Sequence, residues 1–142
     1  MFKEQFEDVL ADFGGLVKQE LKLDDDGVAT FTVDDEIIIN ILYLEESDTI
    51  IAFAPVGAFG GMDASDAGEK ALALLRLSEL GNSSKGFTLA LDEEADLVLA
   101  MDRRFAIDIA HADSLAAWMD ALVFAVRTVR EYFAEHFAAR EE

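Results

Sequence analysis

Apolar positions change their spacing along this chain, and each change marks an element. Phe2, Phe6, Leu10, Phe13 and Val17 recur at helical spacing, with Glu4, Glu7, Asp8 and Asp12 between them. That pattern predicts an amphipathic first helix of about five turns, weakened by Gly14 and Gly15. Asp24 to Gly27 form a turn, and a strand-like run from Val28 to Val33 follows. Asp34 and Asp35 turn the chain into Ile37 to Leu44, and Glu46 to Asp48 turn it into Thr49 to Val56. Three strands joined by short acidic turns predict an antiparallel meander.

The second strand breaks the usual alternation. Ile37, Ile39, Ile41 and Tyr43 share one face, and Ile38, Leu42 and Leu44 share the other with Asn40. An antiparallel strand with one wet face alternates apolar and polar residues. Here both faces are apolar, so something besides water should cover the face turned away from the helices.

Gly57, Gly60 and Gly61 predict a flexible connection after the third strand. Asp66, three residues before Glu69, resembles a capping box for a second helix. Leu72, Leu75 and Leu80 mark its apolar stripe, and Gly81 with Asn82 its stop. Phe87, Leu89 and Leu91 then alternate with Thr88 and Ala90, Asp92 to Asp96 form an acidic hairpin turn, and Leu97, Leu99 and Met101 alternate on the return. Phe105, Ile107 and Ile109 continue that alternation, so the strand is expected to run past Arg103 and Arg104. Asp113 can cap a last helix bearing Leu115, Trp118, Met119, Leu122, Val126, Val129, Phe133 and Phe137. The order α-β-β-β-α-β-β-α, without repeat or linker, predicts one α+β domain over residues 1–142, an antiparallel twisted sheet with helices.

Composition restricts the chemistry. Thirty acidic against eleven basic residues give a formal charge of −19, while 52% of the 142 residues are apolar or aromatic. The apolar share is ample for a folded core. The charge argues against nucleic acid and against docking on an anionic membrane surface, since both need clustered Lys and Arg. Absent cysteine excludes disulfides, thiolate metal sites and Cys nucleophiles. The start of the chain lacks signal-peptide character and no stretch spans a bilayer, so the expected location is the cytoplasm.

No motif carries catalysis. In an EF-hand aligned on Gly27, Lys22 would take the first ligand position and Val33 the twelfth, which argues against calcium there and for solvated turns that keep strand edges from pairing. His111 and His136 stand apart in sequence, outside metal patterns, and the glycines near Phe59 fit no phosphate loop. The expectation is a protein without enzymatic activity, cofactor or metal, whose function lies in surface. A strand edge beside an apolar groove can accept an extended peptide, and helix and strand surfaces can form a dimer.

From the second helix onward, LLRLSELGNSSKGFTLALDEEADLVLAMDRRF, then a helix containing SLAAWMDALVFAVRTVREYF, resembles the class I type III secretion chaperones, the Tir-chaperone-like family. The leucine-rich helix, the loop ending in Gly86, the Leu-x-Leu-Asp strand, the acidic turn and the terminal amphipathic helix carry the likeness. It implies a cytoplasmic homodimer that binds the N-terminal segment of a secreted effector in extended form and assists its export. It further implies dimerisation through the second helix and the neighbouring strand, taken as Leu72, Leu75, Phe87 and Leu89. Cargo would meet the first helix and the sheet, taken as Phe2, Phe6, Leu10, Ile37, Ile39 and Ile41. On that reading Phe6→Asp with Ile39→Asp abolishes cargo binding and spares the fold. Two other readings stay open: a stand-alone sensory or regulatory domain of the same fold, and a small metal-dependent enzyme using Asp24 to Asp26 or Asp92 to Asp96.

Overall fold

The structure, a computed structural model, describes residues 3–79 and 83–137. Its elements are α1 (Lys3–Val17), β1 (Val28–Val33), β2 (Ile37–Leu44), β3 (Thr49–Ala58), α2 (Ala67–Leu77), β4 (Thr88–Asp92), β5 (Leu97–Phe105), a short 3-10 helix (Ala106–Ile109) and α3 (Ala112–Phe137). The strands form one sheet in the order β1-β2-β3-β5-β4, and β1 with β2, β2 with β3, and β4 with β5 pair antiparallel. The α+β order expected from the sequence holds.

The chain divides into two compact units. The first comprises residues 1–53 and 102–120, the second residues 54–101 and 121–142, so β3, β5 and α3 contribute residues to both.

In the first unit, α1 lies on the sheet face that carries Phe31 and Tyr43. Phe6 stacks on Tyr43 at 5.6 Å, and Phe13 meets Phe31 edge-on at 5.4 Å. The register explains the packing: Ala29, Ile41 and Ala52 form one cross-strand row, so small residues flank a large one and leave room for helix side chains. Leu115, Trp118 and Met119 of α3 are buried as their spacing predicts. Trp118 also satisfies its indole N–H, donating to Asp102 Oδ2 at 3.0 Å.

The end of α1 depends on Gly14. A Cβ there would collide with the Gln19 carbonyl oxygen. Lys18 is left-handed, at φ 60°, and Gln19 N–H donates back to Gly14 O at 3.0 Å, the hydrogen bond of a Schellman stop.

In the second unit, the glycine-rich connection is fastened rather than loose. β3 runs on to Ala58, two residues past the expected end. Gly60 and Gly61 then donate their N–H groups to the Asp96 carboxylate at 3.1 and 2.8 Å, and Phe59 N–H donates to Asp96 O. Both glycines have φ near +100°, a conformation open to residues without a Cβ. Lys70 closes the arrangement by donating to Phe59 O at 2.7 Å.

Three local expectations change. Asp66 makes no side-chain cap hydrogen bond to α2 and instead faces Lys70 at 3.5 Å. β5 does not continue through Ile109; it stops at Phe105, where the 3-10 helix begins and Ala106 N–H donates to Asp48 O. Asp113 lies inside the first turn of α3 rather than before it, where its charge still complements the helix dipole. The expected stop of α2 at Gly81 and Asn82, and Leu80 of its stripe, lie outside the described residues.

Candidate partner-binding surfaces

The two faces of β2 part cleanly. Ile37, Ile39 and Ile41 are 0% exposed and Tyr43 is buried, whereas Ile38 is 49% exposed and Asn40, Leu42 and Leu44 are half-buried. The register builds an outer face from the second set. Val28, Leu42 and Ile51 form one cross-strand row; Thr30, Asn40 and Phe53 form the next, and Thr32 faces Ile38. Within it, Thr30 Oγ1 donates to Asn40 Oδ1 at 2.9 Å. The remainder is an aliphatic and aromatic surface with partial access to solvent.

This parity corrects the residues expected to meet cargo. Phe6, Leu10, Ile37, Ile39 and Ile41 are wholly enclosed by their own chain and offer no area to a partner. They are core because α1 covers the side of the sheet toward which they point. Phe2 lies outside the described residues.

The second surface centres on α2. Ala73, Leu74 and Leu77 face inward, while Leu72 is 51% and Leu75 is 70% exposed, so these two residues of the apolar stripe point outward. Gly68, Ala71, Leu72 and Leu75 then make an exposed apolar line at helical spacing. Beside it opens a groove of about 510 Å3 between α2 and β4, lined by Phe59, Met62, Leu74, Leu75, Leu89 and Leu91 among others. Of the residues expected at a dimer interface, Leu72, Leu75 and half-buried Leu89 reach this surface. Phe87 does not: it is 2% exposed and serves the core.

Sequence reasoning missed Ile107, which the change from strand to 3-10 helix leaves 70% exposed. It lines a groove of about 540 Å3 with Gln5, Asp8, Asp12 and His111. The signal was present in the chain, since an apolar residue beside Asp108 and near Arg104 suits a surface turn better than a strand centre.

The acidic turns are structural. Asp24 Oδ1 accepts N–H groups from Asp26 and Val28 at 2.9 Å each, and Asp92 Oδ1 accepts from Ala95 at 3.2 Å. Among the described residues no group of three His, Cys, Asp or Glu side chains could hold a metal ion. His136 stacks on Tyr132 at 4.0 Å, and His111 is exposed where the 3-10 helix meets α3. The Tyr43 hydroxyl donates to Asp48 Oδ1 at 2.6 Å. Burial first, then the Asp48 hydrogen bond and charge and the Glu45 charge, push its pKa up to about 12. That is a clamp on the β2–β3 hairpin, not a reacting group. Among the described residues no helix is long and apolar enough to cross a membrane.

Comparison with known proteins agrees with this architecture. No curated protein matches the chain by sequence. Solved structures do match in fold. A chain of the HopA1–SchA chaperone–effector complex superposes with a TM-score of 0.73 at 21% identity, covering 91% of this chain and 95% of that one. A chain of the ExsC–ExsE complex gives 0.74 at 17% identity, covering 92% and 96%. A chain of the Yersinia pestis type III secretion chaperone SycH in complex with a stable fragment of YscM2 gives 0.65 at 20% identity, covering 87% and 98%. The model of the Tir chaperone protein (CesT) family matches residues 8–130, nearly the whole described chain. The chain therefore belongs to the Tir chaperone protein (CesT) family.

Proposed function

We propose that the protein is a cytoplasmic type III secretion chaperone without enzymatic activity, which holds the N-terminal segment of an effector in extended form and assists its export. The observation that carries this is the outer face of β1 to β3, where Ile38, Leu42, Leu44, Ile51 and Phe53 keep solvent access in a member of this family. Cargo lies across that face rather than on the enclosed side chains of Phe6 or Ile39. Its apolar side chains settle separately between the cross-strand rows and so cannot collapse on one another. Ordering such a segment costs roughly 2–5 kcal/mol. At about 25 cal/mol per Å2, some 200 Å2 of buried apolar area offsets the upper figure.

The exposed line of α2 and the adjoining groove serve homodimerisation. A helix apolar on both faces is stable in water when something covers the second face, and a standard interface buries about 800 Å2 per partner. Leu72, Leu75 and Leu89 are the contacts retained from the expected set.

Co-expression with the product of the adjacent gene tests the reading. The expected result is a complex in which the effector's N-terminal segment resists trypsin while bound and is digested when released. Recovery of a folded, wholly protease-resistant partner would indicate a regulatory domain instead. Recovery of no partner, with no binding of the isolated segment, would overturn the chaperone assignment.

A further inference from the structure

The sheet order leaves β1 at one margin, yet its main chain is not free. Gly27 O accepts from Tyr43 N–H at 2.9 Å, and the register continues Val28 to Leu42, Ala29 to Ile41 and Phe31 to Ile39. The odd-numbered residues of β1 therefore bond to β2, and Val28, Thr30 and Thr32 turn their N–H and C=O groups outward. Two of those three are already occupied by the chain itself. Val28 N–H donates to Asp24 Oδ1 at 2.9 Å, and Val28 O accepts from Asp24 N–H at 2.9 Å. Thr32 N–H donates to Gln19 Oε1 at 3.3 Å, and Thr32 O accepts from Gln19 Nε2 at 2.8 Å. The Gln19 amide thus stands in for a peptide unit of a neighbouring strand.

Between these plugs the segment alternates like a strand. Leu21 and Leu23 are buried, and Glu20, Lys22 and Asp24 are exposed. It is anchored at its start by the Schellman stop of α1, where Gly14 lets Gln19 approach. We infer that residues 19–24 are a built-in edge guard, which closes β1 to pairing with a second copy of this chain. A second copy is the occupant that the exposed strand would take. Val28 to Val33 carries no charge and no proline, and four of its six residues are β-branched, the composition of a self-pairing strand. Antiparallel pairing centred on Thr30 would set Thr30 against Thr30 and Val28 against Thr32, a two-fold arrangement that merges two sheets. The charge of −19 on each copy opposes such a merger at low salt and loses effect as salt screens it.

Two measurements test the guard. In amide hydrogen exchange on the unmodified chain, the Val28 and Thr32 amides should exchange at least about tenfold more slowly than that of Thr30. In sedimentation, Gln19→Ala with Asp24→Ala should gain mass with rising protein and salt concentration, beyond whatever mass the unmodified chain shows. Adding Thr30→Pro should reverse the gain, because proline removes the outward donor that an incoming strand needs while leaving the bonds to β2 intact. Equal exchange at the three amides would overturn the inference. So would a folded double variant that keeps the unmodified mass at every concentration, or a mass gain that Thr30→Pro leaves in place.

Discussion

Lys18 holds a left-handed conformation that costs a residue with a Cβ roughly 1–2 kcal/mol. Glycine adopts it without that cost but loses more freedom on folding. Lys18→Gly is therefore expected to raise stability by about 0.5–1 kcal/mol, read as a higher denaturant midpoint with an unchanged slope. Substitutions in the core act the other way. Phe6→Asp with Ile39→Asp, expected from sequence to spare the fold, buries two unpaired carboxylates and should unfold the domain, abolishing its far-UV signal and its cooperative melt. The error was one of parity. The sequence displays two apolar faces on β2 but does not say which is covered, and a shift of one residue exchanges them. The answer was nearby in β1, where Thr30 and Thr32 alternate with Phe31: Phe31 faces Ile39 across the pair, so Ile39 goes inward with it.

Among elements, the long periodic ones were the most legible. α3 buries Leu115, Trp118, Met119, Leu122, Val126 and Val129 as its spacing requires. Elements governed by contacts distant in sequence were not. The glycines at 60 and 61 suggest looseness until Asp96, 35 residues away from Gly61, supplies the acceptor that holds them. α2 carries apolar residues on both faces, and the sequence marked Leu72 and Leu75 without showing that Ala73, Leu74 and Leu77 form the inward face. For the proposed dimer, Leu72→Asp with Leu75→Asp should halve the mass in light scattering and cost less than about 1 kcal/mol of monomer stability, since both side chains are exposed. The β2–β3 hairpin makes a separate prediction. Tyr43 has its pKa raised in the folded state, so the folded chain holds the proton more tightly than the unfolded one. Its contribution is complete below about pH 10 and is lost as pH rises from there through about 12. Against Tyr43→Phe, the unmodified protein should lose stability more steeply over that interval, as followed by urea unfolding.

For the whole molecule, charge and hydrophobicity have separate places. The acidic turns bond their own backbone, as Asp24 and Asp92 do, and the excess negative charge opposes self-association of a chain with exposed apolar surfaces. Those surfaces include the outer face of β1 to β3 and the line along α2, and Phe105, Ile107 and Phe124 expose further apolar area elsewhere. The outer face of β1 to β3 is the proposed seat of extended cargo. The most direct test is calorimetric titration of the effector's N-terminal segment into the unmodified chain and into Ile38→Lys with Phe53→Lys, both confirmed folded by circular dichroism. Losing two apolar contacts of about 1.5–3 kcal/mol each should weaken binding by about 100-fold or more. Positive charges are the demanding choice, because they reduce the overall repulsion of acidic groups while removing apolar area. Unchanged affinity in the folded variant would place the cargo elsewhere.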